Sequence, residues 1–319
     1  MARLPPTTSW SNALTRRGFA VGTAASAAVS ATAGKASTAS DREFNMLTRS
    51  IPSSGEELPV IGLGTASSFI VTRSDRAALE RRKAVIQVLL ENGGKIIDTA
   101  PSYRGSESVV GDLCRELGVT DSSFLATKVR KEREEAGLDE MNASFNLLHT
   151  ESIDLIQVHN LVDTDRKLGT MKEWKQEGRY RYVGVTHWRA GIQDALVPVL
   201  KSQNLDFVQF QYNIEERGAE ETILPAAAEN GAATMINVPF GRGRLFKLTN
   251  GMEVPEFARD FCSSWAQFYL KFILSHPAVT CVIPATSKPE NMADNAGAGY
   301  GRLPDSKERQ RMIQFVENL

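Results

Sequence analysis

A charge bias, a disulfide framework, a metal-binding knuckle and a long apolar run are all missing from this sequence. Its 37 basic side chains are offset by 38 acidic ones, so no basic excess draws nucleic acid to it. Three cysteines, Cys114, Cys262 and Cys281, are too few and too scattered for a disulfide scaffold or a C-x-x-C pair. The four histidines, at 149, 159, 187 and 276, form no H-x-x-x-H or H-E-x-x-H site, and no G-x-S-x-G nucleophile elbow occurs. No apolar stretch reaches the roughly 18 residues that a membrane crossing requires. With 42% hydrophobic residues the chain is not of the disordered class either. Its 319 residues predict a soluble globular protein with one large core or two modest ones.

Acidic residues are also missing from the first forty positions; the first is Asp41. That segment carries Arg3, Arg16, Arg17 and Lys35 among Ala, Ser, Thr and Gly, with no amphipathic period that would pack on a core. Arg16-Arg17 precedes a weakly apolar run from Phe19 to Ala33 and resembles a twin-arginine bacterial export signal, with Ala31-Thr32-Ala33 as a small-residue cleavage site. The alternative is a basic tail that happens to hold two arginines. The expected division is therefore a signal peptide and linker over 1–40, then a barrel over 41–319. Cleavage after Ala33 would leave 34 basic against 38 acidic side chains, a net charge of −4. The expected setting is periplasmic or exported, with the twin-arginine machinery as partner and no membrane anchor in the mature form, or cytoplasmic if the segment is no signal.

From Asn45 onward short apolar runs alternate with segments of helical period. Leu58–Gly64, Lys95–Asp98, Phe124–Lys128, Ile153–His159, Tyr182–Thr186, Phe207–Gln211, Thr234–Val238 and Val279–Pro284 read as strands. The segments between them, including 190–201, 217–230, 256–275 and 289–297, read as helices. Continuous rather than alternating apolar strands are expected where helices cover a parallel sheet. Eight such units fit one closed α/β barrel of the TIM type. A doubly wound open sheet competes, but its usual G-x-G-x-x-G turn is incomplete: Gly62-Leu-Gly64-Thr65 lacks the third glycine. Met46–Ile51 is expected as a hairpin strand plugging the barrel floor, and a last helix is expected after Pro304.

In such a barrel chemistry sits at the C-terminal ends of the strands. Asp98 closes the second strand, with Tyr103 on the loop behind it; Lys128 closes the third and His159 the fourth. Thr186-His187, Gln211 and Asn237 close the next three. Singly, an Asp there commonly caps a turn, a Lys or Tyr snorkels, and a His is a hydrogen-bonded core residue. Together they aim an acid, a base and an imidazole into one mouth.

At this point the residues carry a resemblance. Ile97-Asp98-Thr99-Ala100 with Tyr103, Ala126-Thr127-Lys128, and Asp154 through His159 look like the Asp, Tyr, Lys and His tetrad of the aldo-keto reductases. The likeness continues through Val183–Thr186, Gln211-Tyr212-Asn213 and Ile283-Pro284. It implies an eight-stranded β/α barrel reducing aldehydes or ketones, or running the reverse oxidation, with hydride from a nicotinamide. Tyr103 would be the proton donor, Lys128 would lower its pKa, Asp98 would pair with Lys128, and His159 would orient the carbonyl. No metal is required.

The resemblance also implies a dinucleotide cradle. Phe240-Gly241-Arg242 would offer close backbone approach and a cation for pyrophosphate. Thr286-Ser287-Lys288 opens the eighth helix, where free N–H groups and the Lys288 charge suit the 2′-phosphate of NADP rather than NAD. Asn291 and Asn295 would lie toward the adenine, and Gly64, Thr65, Thr186, His187, Gln211 and Asn237 toward the nicotinamide half. The pattern departs from many relatives in having Thr186-His187 for Ser-Asn, Asn237 for a tyrosine, Ala285 for a basic residue and Asn291 for an arginine. Two other functions stay open: a non-catalytic barrel that binds the dinucleotide as a redox-sensing or accessory subunit, and a lyase or isomerase using the Lys128 amine covalently. The short loop after His159 suggests an open, shallow pocket, with Phe69, Trp188 and Phe246 as lining candidates.

Overall fold

The computed structural model describes residues 45–319, so the expected signal and linker lie outside the described residues. The chain opens with an antiparallel hairpin, β1 (Thr48–Ser50) and β2 (Glu57–Pro59), in which Thr48 lies opposite Pro59. Eight parallel strands follow: β3 (Leu63–Gly64), β4 (Ile96–Asp98), β5 (Phe124–Val129), β6 (Ile153–His159), β7 (Tyr180–His187), β8 (Phe207–Gln211), β9 (Ala233–Asn237) and β10 (Cys281–Val282). They are hydrogen-bonded in chain order. The two ends of that row meet as well: Gly62 N–H donates to Val282 O at 2.9 Å and Gly64 N–H to Pro284 O at 3.1 Å. The sheet therefore closes into a barrel, which settles the choice against an open sheet.

Helices wrap the outside: α1 (Arg76–Glu91), α2 (Ser106–Leu117), α3 (Glu134–Leu148), α4 (Thr164–Gln176), α5 (Gln193–Ser202), α6 (Ile223–Glu229), α7 (Arg244–Leu248), α8 (Trp265–Leu274), α9 (Pro289–Gly297) and α10 (Ser306–Glu317). Their ends follow local chemistry. Asp75 caps α1 by accepting from Ala78 N–H, Gly93 at φ +73 releases the chain after it, and Asp305 with Glu308 forms a capping box on α10. None of the described helices is long and apolar enough to cross a membrane.

Two sequence expectations need correction. Leu58–Gly64 is not one strand: Pro59 has no N–H for a barrel ladder, so the run divides between the floor hairpin and β3. The expected helices over 217–230 and 256–275 are shorter, since a 3-10 turn occupies Gly218–Glu220 and another Glu256–Ala258 before α6 and α8 begin.

Alternation along the strands sorts the interior into layers. Phe124, Leu155, Tyr182, Phe207 and Ala233 fill the lower part, closed from beneath by Ile51 and Leu58 of the hairpin. Gly184 sits opposite Phe207, where a Cβ would come within 2.5 Å of the Phe207 carbonyl oxygen. Further along the strands the inward positions become polar: Asp98, Gln157 and Gln209 beside Ala126, Gly184 and Met235, then Lys128, His159, Thr186 and Asn237. The apolar floor makes the upper layers a place of low dielectric, where charges interact strongly.

Candidate active site

The upper layers hold one buried ion pair. Lys128, with 1% of its side chain exposed, donates to Asp98 Oδ1 at 2.8 Å and Oδ2 at 2.7 Å, and to the Thr99 carbonyl at 2.8 Å. The ammonium is held on one side by these three acceptors and on the other faces the Tyr103 hydroxyl. The end of β4 is held in turn by Thr65, whose N–H and hydroxyl both donate to Asp98 O, at 3.0 and 2.9 Å.

Tyr103 stands above this pair on the β4–α2 loop. Its N–H donates to Ala100 O at 3.0 Å, and Ser106 Oγ donates to its carbonyl at 2.8 Å, so the loop is fixed on both sides. The Lys128 Nζ lies 5.0 Å from the tyrosine ring centroid. The His159 ring meets that of Tyr103 edge to face at 6.1 Å, and its Nδ1 lies 3.3 Å from Ser102 Oγ. Three residues at strand ends and one on a loop, up to 61 positions apart in sequence (98 to 159), thus share one mouth.

Burial dominates the protonation states. It pushes the Tyr103 phenol up, helped by Asp98, while Lys128 pulls the other way without prevailing. Lys128 lowers the phenol, as expected from the sequence, through its charge and a hydrogen bond, but burial outweighs it. Burial opposes the Lys128 ammonium, but Asp98 and Tyr103 outweigh it and hold its pKa up. Burial, then Lys128, Arg130 and His187, lower His159 to about 3, so its imidazole is neutral at ordinary pH.

Three residues that tie this centre together are absent from the sequence reading. Gln209 donates to Asp98 Oδ1 at 2.8 Å and accepts from Thr186 Oγ1 at 2.9 Å and Asn237 Nδ2 at 3.3 Å. Gln157 reaches the same Asp98 oxygen at 3.4 Å. Behind the sheet, buried Glu107 accepts from the hydroxyl of Thr127, the residue before Lys128, and burial raises its pKa. The signal for the glutamines was their inward parity, two residues from Gln211 and His159.

The expected cofactor residues divide into groups. Thr186 is buried and commits its hydroxyl proton to Gln209. Gly64 serves the barrel seam, where a Cβ would sit 2.7 Å from Ile283 O. His187 accepts from Arg189 N–H at 3.1 Å, and Gln211 ends β8 half-buried, opposite Asn237. Beyond β9 the backbone bends through positive φ at Val238, Gly241, Arg242 and Gly243. There Phe240 packs on Phe246 at 4.8 Å, and the Arg242 guanidinium lies 4.2 Å over the Trp188 ring. Thr286 Oγ1 accepts from Lys288 N–H at 3.1 Å, shaping the entry to α9, with Ser287 half-buried and Lys288 and Asn291 exposed at its start. Asn295 is buried on α9. Phe69 is fully buried in the core and lines no mouth.

A nicotinamide dinucleotide fits what is present. Buried acceptors without partners, Gln157 Oε1, Asn160 Oδ1 and Asn237 Oδ1, lie at this end of the barrel and suit the N–H groups of a carboxamide. Among the described residues neither Arg242 nor Lys288 has a carboxylate within ion-pair distance, and α9 has no side-chain cap over its first N–H groups. No group of three or more His, Cys, Asp or Glu suited to a metal occurs among the described residues.

The comparisons agree with this geometry. The family model described as the aldo/keto reductase family matches residues 60–311. Aldo-keto reductase YhdN of Bacillus subtilis is 32% identical over 214 residues, 61% of this chain and 62% of that protein, so the chain spans somewhat under two thirds of YhdN. The uncharacterized oxidoreductase YqkF of the same organism is 25% identical over 303 residues, covering 82% of this chain and 94% of that one. Among solved structures, the holo form of aldo-keto reductase AKR11C1 from Bacillus halodurans superposes with a TM-score of 0.68 at 25% identity, covering 85% of this chain and 96% of that one. A Klebsiella pneumoniae aldo-keto reductase in complex with NADPH has the same fold, with a TM-score of 0.71 at 23% identity and the same coverages. A closed barrel that carries Asp98, Tyr103, Lys128 and His159 at one mouth, matched over 60–311, belongs to the aldo/keto reductase family.

Proposed function

We propose that this protein is an NADP(H)-dependent oxidoreductase that reduces aldehydes or ketones to alcohols, or runs the reverse. The observation that carries the reading is the convergence of Tyr103 and His159 above the buried Asp98–Lys128 pair. When bound, the dinucleotide supplies the hydride. Tyr103 donates its phenolic proton to the carbonyl oxygen, and the raised phenol keeps that proton available through neutral and mildly alkaline pH. The Lys128 ammonium stabilises the phenolate left behind, and Asp98 keeps the lysine charged and in place. In the tautomer in which Nδ1 accepts from the Ser102 hydroxyl, neutral His159 carries its proton on Nε2 and can donate to the same carbonyl oxygen.

Lys128 is unsuited to Schiff-base chemistry. Its pKa is held up by Asp98 and Tyr103, so it stays an ammonium with no lone pair to attack a carbonyl. A non-catalytic accessory barrel would have no use for the assembled proton donor.

Tyr103→Phe tests the proposal. Reduction of benzaldehyde, followed by NADPH absorbance, should fall by about 10²–10⁴-fold while NADPH binding by titration stays near wild type. Turnover surviving within tenfold overturns the acid assignment. The exposed Lys288 favours NADP, and tighter binding of NAD in a pair of isotherms would overturn that part.

We also propose that residues 1–40 are a twin-arginine signal and linker ahead of a barrel over 41–319, and that the protein is exported folded with its dinucleotide bound. Arg16-Arg17 and the acid-free run to Ala33 support this. Replacing both arginines by lysine should retain precursor in the cytoplasm. A mature cytoplasmic protein that keeps residues 1–33, or a periplasmic form free of dinucleotide by native mass spectrometry, would overturn the signal and the co-export respectively.

A further inference from the structure

Many arginines of the described surface are tied to carboxylates: Arg166 to Glu134, Arg181 to Asp154 and Glu56, Arg217 to Glu317, Arg302 to Asp260 and Glu308. Others are not, and two of these, Arg104 and Arg130, lie beside tetrad residues. Both are exposed, and neither guanidinium has a carboxylate within ion-pair distance among the described residues. Both belong to the mouth. Arg104 directly follows Tyr103, at φ +47. Arg130 follows β5, whose register pairs Val129 with Val158. The next step along that ladder sets Arg130 beside His159, and alternation puts it on the inward row with Lys128.

The acids near these arginines are engaged elsewhere. Asp98 is taken by Lys128. Glu140 accepts the backbone N–H groups of Arg130 and Lys131 at 2.6 and 3.1 Å. Asp163 faces Arg166 at 3.5 Å and Lys167 at 3.9 Å. Arg130 thus stands beside the carbonyl-orienting imidazole and Arg104 directly after the proton donor, neither in an ion pair with a carboxylate among the described residues.

We infer that Arg104 and Arg130 select a carbonyl substrate that carries an anionic group, a carboxylate or a phosphate. The inference rests on the reductase reading of the same site and adds the substrate class. A guanidinium binds either anion through parallel N–H donors, and a positive mouth raises the local concentration of anionic substrate. The field at His159 agrees: after burial, which lowers its pKa most, Lys128, Arg130 and His187 all oppose its ionisation.

The test uses matched pairs with NADPH: 4-carboxybenzaldehyde against methyl 4-formylbenzoate, and glyceraldehyde 3-phosphate against glyceraldehyde. In at least one pair the anionic member should have a kcat/KM about tenfold higher or more, and the preference should shrink as salt rises. Arg130→Gln and Arg104→Gln should each reduce that ratio by about tenfold, the worth of one charge-assisted pair, and Arg130→Lys should recover part of it. The first pair reads carboxylate and the second phosphate. No preference for either anion overturns the inference and leaves the reductase reading standing. A ratio unchanged in both Gln variants, with NADPH binding weakened, assigns the arginines to the dinucleotide and also overturns it. If no aldehyde is turned over by the wild-type protein, the reductase reading fails and this inference fails with it.

Discussion

Gln209 and Asp98, 111 residues apart, are joined by a 2.8 Å hydrogen bond across the barrel interior. The amide is oriented by its other contacts: its oxygen accepts from Thr186 and Asn237, which leaves its nitrogen to donate to the carboxylate. A chain of bonds therefore runs from β7 and β9 through β8 to the Asp98–Lys128 pair beneath Tyr103. Residues expected to touch the nicotinamide, Thr186 and Asn237, are mechanically linked to the proton-donating side of the site.

Gln209→Leu should expose that link. The variant loses a hydrogen bond to a charged group and leaves the Thr186 hydroxyl without its acceptor. It should lose about 1.5–3 kcal/mol in urea unfolding, with kcat falling more than KM changes. Unchanged stability and kinetics would mean that Lys128 alone positions Asp98.

Breaking the ion pair should cost more than removing it whole. Lys128→Met leaves the Asp98 carboxylate buried without its counter-charge, and about 3–5 kcal/mol of stability should be lost. The double variant Asp98→Leu, Lys128→Met should regain part of that loss while remaining inactive. The comparison is made by thermal and urea denaturation of the three proteins. A double variant no more stable than Lys128→Met would mean that the remaining polar shell, Gln157 and Gln209, demands the pair.

The tetrad was legible because Asp98, Lys128 and His159 each end an apolar run, and a polar residue there stands out against its strand. Gln157 and Gln209 were not, because each lies one turn of the pleat deeper, where a glutamine in an apolar run reads as an outward side chain unless the strand is known to line a barrel. Glu107 was hidden for a related reason: its partner Thr127 faces the helices, so the contact joins elements through the outer layer. The barrel itself followed from eight alternating units, while Leu58–Gly64 misled because one apolar run serves two sheets.

Asn237 offers a gain-of-function test. It is half-buried, with a 3.3 Å bond to Gln209 and one unpaired oxygen. The other aromatic candidates are engaged, Phe240 with Phe246 and Trp188 with Arg242. Asn237→Tyr would supply a ring face worth about 0.5–1.5 kcal/mol and should tighten NADPH binding several-fold in a fluorescence titration. No gain, with the fold intact by circular dichroism, would mean that Trp188 leaves Arg242 to stack on the nicotinamide.

The last prediction concerns pH. His159 is lowered to about 3 in the folded chain, against about 6.5 in an unfolded one. Between those values the unfolded chain binds the proton and the folded one does not, so this group's contribution is complete above about pH 6.5 and is lost as pH falls toward 3. His187 and His276 are lowered in the same direction, so His159→Gln should flatten part, not all, of the acid slope of unfolding free energy. Activity should behave differently. With His159 already neutral and Tyr103 still protonated, kcat for carbonyl reduction should show no histidine inflection from pH 5 to 8, whereas alcohol oxidation, which needs the Tyr103 phenolate, should rise with pH throughout. A reduction profile with an inflection near pH 6.5 that vanishes in His159→Gln would show instead that the imidazole titrates in the working enzyme.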